Sequence, residues 1–402
     1  MTGGTENYFR RGLGLKKEVA GSLTADYHSR LVDIVKDNGY QLSAGDLTFK
    51  LAKEFGFCYG VDRAVDYAYQ SRVKFPDKRI FLVGEIIHNP HVNDKLARMK
   101  VEILYPEADG RFDFSSVTPD DVVIIPAFGV TVNDLATLKG VGCVLIDTTC
   151  GSVLNVWKRV EKYARDHFTA LIHGKYYHEE SRATASQVNG YPDGRYIIVR
   201  DMGEAEIVCD FIEHGGDAGE LEAKFLASTS PEFSADRDLL RIGVANQTTM
   251  LANESLAIAK RIGIAMARRY GAEALPEHFR SFDTICSATQ ERQDAVLELI
   301  EDPPDVMLVI GGYNSSNTNN LAAICADRTT TFHIADASCI EPSSGVIRYK
   351  PVGQLEEAVS ERWLEGVRTI GVTAGASTPN NKIGEAMERI VETRGIELTV
   401  EV

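Results

Sequence analysis

Val144-Leu145-Ile146-Asp147-Thr148-Thr149-Cys150-Gly151-Ser152-Val153 decides how the chain is read. An apolar run of strand length ends in a short polar turn, and after Cys150 the periodicity changes. Val153, Trp157, Val160 and Ala164 recur at the spacing of one buried helical face. A strand, a cysteine at the turn and a helix therefore follow one another. The same order occurs twice more. Residues 48–57 run into Cys58 and then Val61, Ala64, Val65 and Ala68. Phe282-Asp283-Thr284-Ile285 runs into Cys286 and then Ala295, Val296, Leu299 and Ile300. The second and third copies share Asp-Thr-x-Cys, which supports a threefold internal repeat.

Working outward, each cysteine is followed by a short apolar strand and a polar loop. Residues 80–83 lead into Gly84-Glu85-Ile86-Ile87-His88-Asn89-Pro90, and residues 169–172 into His173-Gly174-Lys175-Tyr176-Tyr177-His178-Glu179-Glu180. Residues 306–310 lead into Gly311-Gly312-Tyr313-Asn314-Ser315-Ser316-Asn317. His88, His178 and Ser315 each lie 28 to 30 residues beyond their cysteine. A second strand and loop complete each copy: Pro126-Ala127-Phe128-Gly129-Val130, Ala245-Asn246-Gln247-Thr248-Thr249, and Thr373-Ala374-Gly375-Ala376-Ser377-Thr378.

This alternation predicts an α/β chain of three small parallel-sheet lobes. Ligands bind at the carboxyl ends of such strands, so a pseudo-threefold, trefoil arrangement of the lobes would turn three thiols toward one central cavity. The expected divisions are an N-terminal extension (1–46), lobes at 47–143, 144–280 and 281–378, and a C-terminal helix and strand (379–402). The middle lobe carries an insertion of roughly fifty residues between its two strands, read as a surface excursion.

Composition removes several function classes. A chain of 402 residues, 44% hydrophobic and 25% charged, can bury the cores of two or three domains. No apolar run approaches the roughly 18 to 20 residues that cross a bilayer, and no secretory h-region follows the N-terminus. Glu6 and Glu18 argue against a transit peptide, so the expectation is a soluble cytoplasmic protein without membrane partners. With 43 Lys+Arg against 58 Asp+Glu, the net charge of -15 argues against a nucleic-acid binder. Seven cysteines are an odd number, and no C-x-x-C pair occurs. Disulfide frameworks and zinc ribbons therefore lack support, and any metal site must draw on distant segments.

Three thiols at helix openings, with no fourth in a matching context, suit a [4Fe-4S] cluster held at three corners, its last iron open as a Lewis acid. Zinc on three cysteines and a water is the alternative. Cys143, Cys209, Cys325 and Cys339 lack that context and read as buried apolar residues. His88, His178, Asn246, Gln247, Thr248, Asn314, Ser315, Ser316, Asn317, Ser377 and Thr378 are short polar groups at helix starts, where phosphate is attracted. Capping explains any single one of them equally well; their repeated placement beside the thiols points to a ligand. His28, His91, His167, His214, His278 and His333 read as structural. Glu180, two residues from His178, is a candidate proton donor, because a poorly solvated carboxyl can keep its proton near neutral pH.

Taken together, Gly56-Phe57-Cys58-Tyr59-Gly60-Val61-Asp62-Arg63-Ala64, Ile87-His88-Asn89, Asp147-Thr148-Thr149-Cys150, His178-Glu179-Glu180, Asn246-Gln247-Thr248-Thr249, Ile285-Cys286-x-Ala288-Thr289-Gln290-Glu291-Arg292-Gln293, Asn314-Ser315-Ser316-Asn317 and Thr373-Ala374-Gly375-Ala376-Ser377 resemble the IspH/LytB family. These are the 4-hydroxy-3-methylbut-2-enyl diphosphate reductases, last in the methylerythritol phosphate route to isoprenoids. The likeness runs from about Thr48 to the C-terminus, and the preceding extension looks like that of the longer plant and bacterial form. It implies a three-lobed fold around one [4Fe-4S] cluster on Cys58, Cys150 and Cys286. His88, His178, Thr248, Ser315, Ser316, Asn317 and Ser377 would bind the allylic diphosphate, with Thr289 an accessory contact. Glu180 would deliver the proton, with Thr248 beside it in the relay. Ferredoxin or flavodoxin would supply electrons, and isopentenyl and dimethylallyl diphosphate would be the products.

One position departs from the resemblance. Short bacterial members carry a further substrate histidine in Ala-His-Gly-Val, where this chain has Ala127-Phe128-Gly129-Val130. Asn or Gln side chains, backbone amides or water are expected to replace that contact. Three other readings of the residues stay open at this point: an iron-sulfur hydro-lyase, which moves no net electrons and would want arginine for its carboxylate substrates, a non-catalytic iron-sulfur sensor or carrier, and a plain α/β phosphate-binding module, which absence of iron after anaerobic reconstitution would favour.

Overall fold

A computed structural model of the chain describes residues 7–282 and 284–396. The described chain divides into two compact units. The first takes the N-terminal residues to Gly12, Phe75–Ile86 and Lys100–Cys286; the second takes Leu13–Lys74, Ile87–Met99 and the chain from Ser287 onward.

The first unit contains two parallel sheets. One orders Tyr8–Phe9, Val144–Asp147, Val122–Ile125, Ile80–Val83 and Val101–Leu104, and the other orders Phe279–Ser281, Ile242–Asn246, Thr169–His173 and Tyr196–Val199. The central strands are apolar along their whole length. Both faces of Val122-Val123-Ile124-Ile125 are buried, as a parallel sheet covered by helices on each side requires. The second unit orders Thr330–Ile334, Val306–Ile310, Thr369–Ala374 and Leu47–Leu51 in parallel, with Gln41–Ala44 antiparallel on the edge. A small antiparallel ribbon, Ile340–Glu341, Val346–Tyr349 and Ala358–Ser360, lies beyond Thr330–Ile334 in the same unit. The expected α/β class with parallel-sheet lobes is thus the observed one.

The helices after the cysteines form for the reason their spacing suggests. Gly151–Arg165 buries Val153, Val156, Val160 and Ala164, and Tyr59–Lys74 buries Val61, Ala64, Val65 and Ala68. Gly151–Arg165 ends at Asp166, followed by His167 at φ 59°, a left-handed conformation that stops a helix.

Three expectations are corrected. The strand before each cysteine belongs to a sheet whose other strands lie in a different expected division of the chain from that cysteine. Leu47–Leu51 pairs with Thr369–Ala374, Val144–Asp147 with Val122–Ile125, and Phe279–Ser281 with Ile242–Asn246, so boundaries at 47, 143/144 and 280/281 separate strands from their own sheets. Pairing is non-local, and an apolar run looks the same whichever sheet receives it. The insertion of the middle lobe is no surface excursion either: Tyr196–Val199 adds to the sheet beside Ala170–His173, and the helix Met202–His214 buries Val208, Cys209, Phe211 and Ile212 in its core. The N-terminal extension is not separate. Tyr8–Phe9 joins the sheet of Val144–Asp147, and Leu31, Val32 and Val35 of the helix Arg30–Asp37 enter the core around Phe49. The helix expected near the C-terminus is Asn380–Thr393, while the strand expected after it, and Asp283 of the third cysteine motif, lie outside the described residues.

Candidate active site

In the first unit, Cys150 stands at the N-cap of Gly151–Arg165 with an extended backbone, and its thiol makes no capping bond. Its N–H donates to Ala127 O at 2.9 Å. The preceding loop turns at Gly129, φ 77°, where a Cβ would lie 2.4 Å from the Trp157 ring. Only glycine lets the chain pass so close to that indole.

His178 caps the helix Glu179–Ala185: its Nδ1 accepts from Glu180 N–H at 3.1 Å. An amide N–H can only donate, so neutral His178 carries its proton on Nε2. Glu180 is buried, and its Oε1 accepts from Thr248 N–H at 2.6 Å. Thr248 O in turn accepts from Cys286 N–H at 3.4 Å. One residue of backbone thus joins the carboxylate loop to the third cysteine. Gln247 locks the loops together: its Oε1 accepts from Lys175 N–H and the Ser181 hydroxyl, both at 3.1 Å, and its Nε2 donates to Thr249 Oγ1 at 2.9 Å. The Phe128 ring meets the His178 ring edge to face, centroids 5.6 Å apart.

In the second unit, Cys58 N–H donates to Ala376 O at 3.2 Å, and its thiol accepts from Val61 N–H at 3.5 Å. His88 Nδ1 faces Asn314 Nδ2 at 3.4 Å, and an amide nitrogen can only donate, so this histidine too holds its proton on Nε2 when neutral. His88 O accepts from the Ser377 hydroxyl at 3.1 Å. Gly312 allows that approach, because a Cβ there would sit 2.7 Å from the same carbonyl. Ser315 caps Ser316–Ala326 through Thr318 N–H, so capping does account for its hydroxyl oxygen. Asn317 Oδ1 accepts from Ala376 N–H at 3.0 Å, while its Nδ2 is a buried donor with no protein partner. Ser316 and Thr289 are buried.

The four cysteines set aside are buried, whereas Cys58, Cys150 and Cys286 are partly exposed. Burial pushes the thiols of Cys209 and Cys325 up to about 12, which leaves them protonated and inert. Three accessible thiols, one freed from capping, fit the donor set an iron-sulfur cluster needs. Sequence reasoning missed Arg292, whose Nη2 and Nε donate to Gly56 O at 2.7 and 3.2 Å and brace the Cys58 loop. An arginine on the buried stripe with Thr289, Ala295 and Val296 was the available signal. A groove of about 1550 Å³ in the first unit, lined by Arg111, Tyr176, Tyr177 and Arg182, includes neither Glu180 nor Thr248 nor a cysteine.

The LytB protein family matches residues 49–391. The chain is 48% identical over 394 residues to a 4-hydroxy-3-methylbut-2-enyl diphosphate reductase of Thermosynechococcus vestitus, covering 98% of this chain and 96% of the relative. It is 46% identical over 397 residues to the protein of that name from Gloeobacter violaceus, covering 98% and 94%. A solved structure of (E)-4-hydroxy-3-methyl-but-2-enyl diphosphate reductase, described as the terminal enzyme of the non-mevalonate pathway, is similar at 26% identity and TM-score 0.53, over 86% of this chain and 99% of that one. The E-1-hydroxy-2-methyl-but-2-enyl-4-diphosphate reductase from Plasmodium falciparum shares the fold at TM-score 0.62 and 19% identity, over 85% and 87%. With the cysteine, histidine and Glu180 loops built as described and the match spanning nearly the whole chain, this protein belongs to the LytB family.

Proposed function

We propose that the chain is a 4-hydroxy-3-methylbut-2-enyl diphosphate reductase, an oxidoreductase of isoprenoid synthesis that removes the allylic hydroxyl and yields isopentenyl and dimethylallyl diphosphate. Cleavage of the C–O bond consumes two electrons and two protons and releases water. Cys58, Cys150 and Cys286 would hold a [4Fe-4S] cluster, which when bound supplies the electrons and a Lewis-acidic iron for the hydroxyl. The carrying observation is the chain of contacts from Glu180 Oε1 through Thr248 to Cys286 N–H. It ties a buried carboxylate to a cysteine loop.

Glu180 gives the proton that lets the hydroxyl leave as water, and the Thr248 hydroxyl passes protons between Glu180 and substrate. His88 and His178 present Nε2–H donors to the diphosphate. Ser315 and Ser316 add hydroxyls, the Ser377 hydroxyl would turn from His88 O to the diphosphate, and Asn317 Nδ2 adds the buried donor that has no protein partner. Gln247 is committed on both ends of its amide, so Asn317 is the better substitute for the histidine that Phe128 replaces. Thr289 supports the same set. Ferredoxin or flavodoxin is the proposed electron donor, and the cytoplasm the proposed location; among the described residues no helix is long and apolar enough to cross a membrane.

The test is anaerobic reconstitution with iron and sulfide, followed by oxidation of a reduced viologen on adding the substrate. Substrate-dependent oxidation that falls by about 10²–10⁴ in Glu180→Gln supports the reaction and its proton donor. A stable cluster without dye oxidation would reject the reductase.

A further inference from the structure

Residues 7–12 have no task in that reaction, yet they reach one of its cysteine loops. Leu145 N–H donates to Asn7 O at 2.7 Å, and Tyr8 and Phe9 pair in parallel with Leu145 and Ile146. This register sets the Tyr8 hydroxyl against Asp147 Oδ2 at 2.5 Å, with Arg10 Nε 3.4 Å from the same oxygen. Asp147 is buried, and its other oxygen, Oδ1, accepts from the Thr149 N–H at 3.0 Å and the Thr149 hydroxyl at 2.5 Å. Cys150 is the next residue. The Thr148 hydroxyl donates to Ile125 O at 2.6 Å and completes the turn.

Asp147 is therefore gripped from two sides. Its Oδ1 shapes the turn before Cys150, and its Oδ2 is fixed by the N-terminal strand. Burial and the neighbouring carboxylate push the Tyr8 phenol above its ordinary range, so it stays a donor. If Tyr8 and Arg10 let go, Oδ2 at the sheet edge takes water, the carboxylate gains rotational freedom, and the turn loses its fixed shape. Partners bonded directly to a metal ligand change metal affinity about 10- to 100-fold, and Tyr8 acts from further out, through Asp147 and the Thr149 turn, so a smaller effect is expected.

We propose that Tyr8 and Arg10 are positioning residues for Cys150: the N-terminal strand clamps Asp147, and Asp147 sets the turn from which the thiol is presented to iron. The proposal rests on Cys150 as a cluster ligand. It gives the N-terminal extension a function in cluster retention that reaches beyond blunting the edge of a sheet.

The experiment uses the full-length chain, reconstituted anaerobically, with Tyr8→Phe, Tyr8→Phe/Arg10→Gln and Lys139→Ala. Lys139 lies over the Tyr8 ring at 5.4 Å and removing it leaves the bond to Asp147 intact. Three quantities are read: iron loss to a ferrous chelator, the alkylation rate of Cys150 in the metal-free protein by peptide mass, and the unfolding midpoint. Iron loss a few-fold faster in Tyr8→Phe, and faster still in the double variant, is expected, with Cys150 alkylation raised and the midpoint unchanged. Lys139→Ala should match the wild type. Iron loss unchanged in Tyr8→Phe, or accelerated only in step with a lowered midpoint, would overturn the positioning role while leaving Cys150 a ligand. Failure of the wild type to hold iron would overturn both.

Discussion

Glu180 and Thr248 lie 68 residues apart in sequence, and the contact between them uses the backbone of Thr248 rather than its hydroxyl. Thr248→Val therefore keeps the bond that positions the carboxylate and removes only the hydroxyl proposed as the relay. Turnover should fall by roughly tenfold or more, with the unfolding midpoint unchanged; a fall in both would mean that the hydroxyl is structural. Phe128→His should leave turnover unchanged if, as proposed, Asn317 Nδ2 already supplies the donor it would restore. Increased turnover in Phe128→His, with Thr248→Val inert, would sink that account. Gly129 is a different case. At φ 77° with Trp157 2.4 Å from a would-be Cβ, Gly129→Ala should cost about 1–3 kcal/mol in urea unfolding. A neutral outcome would mean that the loop can move away from the indole.

At the scale of elements, two buried histidines make sheet stability depend on pH. His173 ends the strand Thr169–His173 with Nδ1 2.8 Å from Ser255 Oγ, and His333 lies in Thr330–Ile334 with Nε2 3.0 Å from Gly311 O. Burial lowers both to about 4 from an ordinary value of 6.5. The native state keeps them neutral while the unfolded chain takes up protons below pH about 6.5. Their contribution is full above that pH and is lost as pH falls from about 6.5 to 4, by about 1.4 kcal/mol per pH unit for each histidine. Urea unfolding between pH 7 and 5 reads this slope, and His333→Gln should remove about half of it. An unchanged slope would place the proton uptake elsewhere. The element-scale reading also shows what local pattern can carry. Strands at 80–83, 122–125 and 306–310 were legible because four or five consecutive apolar residues fit a strand buried on both faces. Arg292 was not, because nothing near it in sequence says that its guanidinium will find Gly56 O, 236 residues away.

For the whole molecule, the thiols offer a direct count. Anaerobic, metal-free native protein should react quickly at Cys58, Cys150 and Cys286, and the other four should react only on unfolding; loading iron and sulfide should silence the fast set. A fast reaction at Cys209 or Cys325 would contradict their burial. The repeat of cysteine, helix, strand and polar loop was written in the sequence, since strand and helix periods, glycines and the matched spacing of His88, His178 and Ser315 are all local properties. Local pattern alone was therefore enough for the α/β class, the LytB resemblance, the three distinctive cysteines and the candidate proton donor. Tertiary structure decided which sheet each cysteine strand joins: Thr48 pairs with Thr369, a closure of the chain ends that no window of sequence can display. It also drew the supposed insertion into a core, brought Thr248 N–H to Glu180, and laid Tyr8 against Asp147. Each of these is a pairing between distant segments. Its energy depends on what else is buried beside it, which is why the local pattern could propose the partners but could not choose among them.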